Sequence, residues 1–182
     1  MSTQAVEKAA FYSLDPGHTS AEFVVRHLMI TRVRGRFSGV SGTIELQPGS
    51  DVPTSIQASI DTTTIDTREP QRDTHLKSAD FFEVEKYPTL EFASTRIEGT
   101  PANFTIHGNL TIHGVTREVA LNAEFEGHAS DPWGGQRVGY RASTTINRKD
   151  YGLTWNAALE TGGVVVGDEV RIELEVEAVL QK

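Results

Sequence analysis

The chain has 182 residues, with 17 Lys and Arg against 25 Asp and Glu, a net charge of −8, and no cysteine. That length fits one domain with a sizeable core, and the acidity with no basic run argues against a nucleic-acid partner. Without cysteine there is no disulfide, thiolate nucleophile or cysteine-ligated metal.

Residues 1–10 read as a mobile lead, and residues 11–182 as a single domain. The start, MSTQAVEKAAFYSLD, lacks a basic region followed by an apolar core and a small-residue cleavage site. The expected compartment is therefore cytoplasmic. No apolar stretch approaches the roughly 20 residues of a membrane span.

Asp15-Pro16-Gly17 signals a turn. From Thr19 the chain alternates, with Ala21, Phe23 and Val25 on one face and Ser20, Glu22 and Arg26 on the other. Successive strand side chains point to opposite faces, so this pattern predicts a half-buried strand. His27-Leu28-Met29-Ile30 breaks it, which predicts a bend or short helical turn. Val33 to Leu46 carries Gly35, Gly39 and Gly42 and reads as two strand pieces around a kink or tight turn, with Phe37, Ile44 and Leu46 inward. Pro48 to Asp51 is a turn, and Ser55 to Thr62 alternates again with Ile56, Ala58 and Ile60 inward.

The period of two is lost from Thr67 to Lys86. Pro70 suits a helix start, helix-tolerant residues run to Lys77, and Ser78-Ala79-Asp80 can cap a second turn that projects Phe81 and Phe82. Two adjacent phenylalanines on an insertion suit the covering of an opening. Strand signal returns at Thr89 to Ile97, with Leu90 and Phe92 inward.

Asn103 to Gly127 holds the longest pattern: Phe104, Ile106, Leu110 and Ile112 share one parity, then Val119, Leu121, Ala123 and Phe125 share one. This predicts two long strands in a hairpin around Gly114, which can take the positive φ of a tight turn. Gly108 falls on the apolar parity, suggesting a bend, a bulge or room left for another group. Ser130 to Gly135 is a turn, and Val138, Tyr140, Ala142, Thr144 and Ile146 share a face. Asn147 to Asn156 is irregular and ends with Leu153 and Trp155, expected across one barrel end. Gly167-Asp168 marks a turn or bulge before the final strand, whose inward set is Val170, Ile172, Leu174, Val176, Ala178 and Leu180.

The fold class is therefore all-β: an eight-stranded antiparallel barrel with short helical insertions. Such a barrel is just wide enough to be filled by side chains or to hold one small ligand. Periodicity leaves both readings open. The six histidines show no ligand spacing; His107 and His113 lie roughly 20 Å apart along one strand at about 3.3 Å per residue, so no metal site is expected. GxSxG is absent, and Gly162 to Gly167 lacks the Lys-Ser/Thr of a phosphate loop. No catalytic residues are assigned and no enzyme activity is expected.

The stretches HTSAEF (18–23), VRGRF (33–37), RDTHLKSADFFEVEKYP (72–88), GNLTIHGVTREV (108–119), INRKDYGLTWN (146–156) and GGVVVGDEVRIELEVEA (162–178) resemble the YceI-like, lipocalin-like family of polyisoprenoid-binding proteins. The resemblance covers nearly the whole chain after Phe11. It implies an extended lipocalin-like barrel whose internal channel holds a long isoprenoid or similar lipid tail. Many relatives carry a secretion signal and work in the periplasm, whereas none is read here.

On that reading the chain is a non-catalytic carrier of a polyisoprenoid, isoprenoid-quinone or similar apolar lipid, with no cofactor beyond that lipid. Two alternatives remain: an enzyme acting on the bound lipid, and a filled barrel serving as a partner-binding module. The expected channel lining is Phe23, Val25, Phe37, Ile56, Ile60, Phe81, Phe82, Leu90, Phe92, Phe104, Ile106, Leu110, Leu121, Tyr140, Leu153, Trp155, Ile172 and Leu174. Arg26, His27, Arg72, His75 and Asn156 are the expected channel mouth, because they flank the insertion or the irregular segment. A C40 tail at about 0.3 kcal/mol per heavy atom would gain roughly 12 kcal/mol, a nanomolar affinity. Outer apolar positions such as Val24 and Ala120 offer a homodimer surface.

Overall fold

A computed structural model describes residues 8–182. Among them the backbone forms ten strands: β1 (Ala10–Leu14), β2 (Ser20–His27), β3 (Thr31–Phe37), β4 (Val40–Leu46), β5 (Ser55–Asp61), β6 (Thr89–Thr100), β7 (Asn103–Ile112), β8 (Val115–Ser130), β9 (Gln136–Asn147) and β10 (Val166–Leu180). The one α-helix, α1 (Pro70–Lys77), lies between β5 and β6.

The ten strands make eight walls. β1 and β2 both pair antiparallel with β10, interrupted by the Asp15 turn, in which Asp15 Oδ1 accepts from the Gly17 N–H at 2.9 Å. β3 pairs with β2, and β4 with β1 and β5, so β3 and β4 are likewise one broken wall. Every remaining neighbour in the meander is antiparallel, and the β1–β10 pairing closes the ring. Among the described residues one stretch of edge remains, the side of β3 away from β2, which is met only by an isolated bridge between Arg36 and Asp66.

Three local expectations need correction. Ala10 begins β1, so the lead expected over 1–10 overlaps strand at its end; its residues 1–7 lie outside the described residues. β1 is too short, at five residues, for a period of two to stand out. His27 to Ile30 is not a helical turn but a three-residue hairpin connection, Leu28-Met29-Ile30, between the paired His27 and Thr31, with Leu28 and Met29 at φ of 53° and 64° and the Ile30 N–H donating to the His27 carbonyl at 3.2 Å. Finally, Val24 is buried at 7% exposure between its cross-strand neighbours Arg34 and Arg171, so it offers no outer apolar surface; Ala120 is exposed.

The inward side chains form two buried clusters along the barrel. One gathers Tyr12, Ile44, Leu46, Phe104, Leu121, Val138, Tyr140 and Ala178; the other gathers Phe37, Ile65, Leu90, Ile112, Tyr151 and Leu153. At the first end Arg137 joins three segments. Its Nη1 donates to Asp15 Oδ2 at 2.7 Å and Glu177 Oε1 at 2.5 Å, and its Nε to Asp131 Oδ2 at 3.0 Å. The Arg137 guanidinium, aided by His18, lowers the Asp15 carboxyl from 3.8 to about 2. A carboxyl held low in the folded state adds stability that is present above its unfolded value and is lost as pH falls through the folded one. Stability in urea titrations should therefore fall more steeply between about pH 4 and pH 2 for the wild type than for Arg137→Met. Equal slopes would show that Arg137 does not hold Asp15.

Candidate functional site

The barrel interior is not filled. A cavity of about 240 Å³ lies between the two clusters, walled almost wholly by apolar side chains from all eight walls. One end is a floor. Tyr12, Leu46, Val138 and Ala178 pack there at 9% exposure or less, and none of them faces the cavity. The loop between β4 and β5 crosses beneath: the Tyr140 hydroxyl donates to the Asp51 carbonyl at 3.0 Å, His128 Nε2 meets Asp51 Oδ1 at 2.7 Å, and Pro53 touches the lumen.

Two glycines set the bore. A Cβ on Gly35 would lie 2.2 Å from Phe23 Cζ, and one on Gly108 would lie 2.4 Å from Phe92 Cζ. Each missing side chain is a socket in which a phenylalanine ring lies against the wall, leaving the lumen open. A bulge between Ser94 and Arg96 of β6 falls opposite Gly108, so the suspicion of a bulge or room at Gly108 is met by both. Replacing Gly35 by alanine should push the Phe23 ring inward. An apolar fluorescent probe such as N-phenyl-1-naphthylamine should then bind about 1 kcal/mol more weakly, a roughly fivefold rise in Kd. Unchanged Kd with an intact melt would show that Phe23 does not border the occupied space.

The opposite end carries the cover. Glu69 caps α1, accepting from the Arg72 N–H at 2.7 Å, and Pro70 takes the first helical position, where its missing N–H costs nothing. Arg72 Nε donates to Thr67 Oγ1 at 2.7 Å, and Asp73 Oδ1 accepts from the Thr67 N–H at 2.9 Å, pinning the helix to its entry. Buried Thr62 clamps the two feet of the insertion, donating its N–H to the Pro88 carbonyl and its hydroxyl to the Tyr87 carbonyl, both at 2.9 Å. The cover presents Leu76, Phe81 and Phe82 to the cavity. Phe82 meets Phe37 edge-on at 5.8 Å, and Phe37 in turn meets Phe23. Phe81 packs on His75 and Trp155.

Arg148 fastens the rest of this end. It is 3% exposed and borders the cavity, yet its guanidinium is spent on backbone. Nε donates to the Gly167 carbonyl at 2.8 Å, and Nη1 to those of Leu153 and Trp155 at 2.6 and 2.9 Å. Burial lowers its pKa, opposed by Asp168, whose carboxylate lies 3.6 Å away.

Of the eighteen expected lining residues, seventeen border the cavity. Trp155 does not: it stands behind Phe81, edge-on to His75 at 4.8 Å. The five expected mouth residues sit at the covered end, and none borders the cavity. Arg72 is tied to Thr67, His75 Nε2 meets Asp80 at 2.8 Å, and Asn156 both donates to the Val166 carbonyl and accepts its N–H. His27 pairs with Val166, and Arg26 reaches the Met29 carbonyl at 3.4 Å. Leu76 and Arg148 also border the cavity without having been expected there, and so do Ala21, Val119, Ala123, Ala142, Ile146, Val170 and Val176, which alternation places on the inward parity but which the expected lining leaves out.

A family model described as YceI-like domain matches residues 12–178. The chain belongs to the YceI-like family. A UPF0312 protein of Vibrio cholerae is 36% identical over 156 residues, covering 84% of this chain and 82% of that one. The crystal structure of a Campylobacter jejuni YceI protein superposes with a TM-score of 0.73 at 29% identity, covering 86% and 90% of the two chains. A polyisoprenoid binding domain from Saccharophagus degradans shares the fold, with a TM-score of 0.66 at 17% identity and coverage of 93% and 98%. The YceI-like barrel is thus a shared architecture, and no helix among the described residues is long and apolar enough to cross a membrane.

Proposed function

We propose that this YceI-like barrel binds and carries one long apolar lipid chain, an isoprenoid or quinone-like tail, without chemical turnover. The observation that carries the reading is the unfilled apolar lumen, floored at one end and covered at the other by a helical insertion with Phe82 against the opening. Taking a chain out of water there gains near 25 cal/mol per Å² of apolar surface, with no directional bond required. The polyisoprenoid binding domain of Saccharophagus degradans, a fold neighbour, supports the ligand class. Only Glu22 and Arg148 among the cavity-bordering residues are charged, and Arg148 is engaged with carbonyls, which supports carriage over catalysis.

The lumen is smaller than the roughly 300–1,000 Å³ of drug-sized sites. This favours a chain shorter than C40, or a C40 chain held with the cover displaced. Organic extraction of the purified protein followed by mass spectrometry tests the proposal. A prenyl or other long apolar chain near one per protein is expected. A lipid-free preparation that also fails to take up added polyprenol would overturn it.

A further inference from the structure

The β2–β3 hairpin stands out beside the cover. Its tip displays Leu28, Met29 and Ile30 at 36%, 48% and 81% exposure. Leu28 and Met29 hold the left-handed turn that hairpins normally give to Asn-Gly, so two bulky apolar residues occupy positions that disfavour them. The Leu28 N–H donates to the Val165 carbonyl at 2.8 Å, which braces the tip against the segment leading into β10.

Directly behind the tip, Arg26 and Arg32 are cross-strand partners. Like charges placed opposite each other are unfavourable, and among the described residues neither has an acidic partner within 4.0 Å. Arg34 and Arg36 follow on β3, paired only loosely with Glu173 at 3.9 Å and Asp66 at 3.5 Å. From Phe23 to Ile44 the chain has four arginines and no acidic residue, although its net charge is −8.

An apolar tip backed by two arginines without acidic partners, with two loosely paired ones behind them, matches the chemistry of a bilayer surface: side chains enter the acyl boundary while guanidinium groups meet lipid phosphates. We propose that the β2–β3 hairpin docks the barrel on anionic membranes with its covered end toward the lipid. The acidity of the remaining surface disfavours other orientations on the same membrane. A second copy is a poorer occupant, because a two-fold contact through this tip would bring four arginines together. The inference uses the carriage reading only for its purpose, since docking puts the cover beside the source of the chain.

Co-sedimentation with phosphatidylcholine vesicles, with or without about 30% phosphatidylglycerol, tests it at low and high salt. The full-length protein should partition about tenfold more strongly onto the anionic vesicles, and high salt should weaken this. The double variant Met29→Ser/Ile30→Ser should bind severalfold less with an unchanged thermal melt, and Arg26→Gln/Arg32→Gln should lose the anionic preference. Trp133→Ser, at the exposed β8–β9 turn of the opposite end, should bind like wild type. Wild-type protein that ignores anionic vesicles, hairpin variants that bind undiminished, or loss of binding in Trp133→Ser alone would each overturn the proposal. Self-association that the Ile30 change abolishes while vesicle binding persists would do the same. Docking without any recovered lipid would sink carriage and leave docking intact; recovered lipid without docking would do the reverse.

Discussion

Replacing Arg148 with methionine is expected to destabilise the protein by about 3–5 kcal/mol, the upper tail for a single change. Methionine fills much of the arginine's length but donates nothing. The carbonyls of Leu153, Trp155 and Gly167 would then lose their guanidinium donors in a site that water reaches poorly. Asp168, already without a hydrogen bond at its buried Oδ1, would also lose one of its two neighbouring cations, keeping only Lys149 at 3.1 Å. For a domain of this size each kcal/mol shifts Tm by about 2–4 °C, so a drop of about 10 °C is the expected reading. Arg148→Lys separates charge from geometry. A lysine keeps the cation but cannot span both sides of the joint, so it should recover only part of the loss. A melt unchanged in Arg148→Met would show that the segment around Leu153 is held by packing alone.

Blocking the lumen should be the largest functional effect. Ala142 lies mid-barrel, opposite Ala123 on β8 and Leu174 on β10, with its methyl on the cavity. In Ala142→Phe the new ring enters empty space, so overpacking should cost less than the usual 1–3 kcal/mol, or about that at most. The recovered chain should fall at least about tenfold, equivalent to 1.4 kcal/mol or more. A variant that melts like wild type yet yields the same lipid would show that the chain binds elsewhere. Arginine at Phe104 or Leu121 is a blunter test: those side chains are 1% and 7% exposed, and an unpaired charge there threatens the fold itself.

Much of this was legible before the structure because alternation is a direct consequence of backbone geometry. The pattern from Phe104 to Phe125 and from Val170 to Leu180 places inward side chains by parity alone. The cover was legible too, since its loss of period and its Pro70 start mark it as an insertion. What stayed hidden depends on contacts distant in sequence. Arg148 looks like one more surface charge until the chain folds Leu153, Trp155 and Gly167 around it. The expected mouth residues lie close to the insertion, but Arg72 and Asn156 spend their polar atoms on the backbone nearby. The turn at Leu28 escaped because its residues contradict the usual turn chemistry.

The floor built from Tyr12, Leu46, Val138 and Ala178 gives the vessel a single doorway. On the proposed carriage reading, a guest that enters tail-first must back out by the same route, and its polar group never passes through the protein. A barrel built this way is no conduit between two compartments; if it carries a lipid as proposed, the whole protein has to make the journey to hand it on.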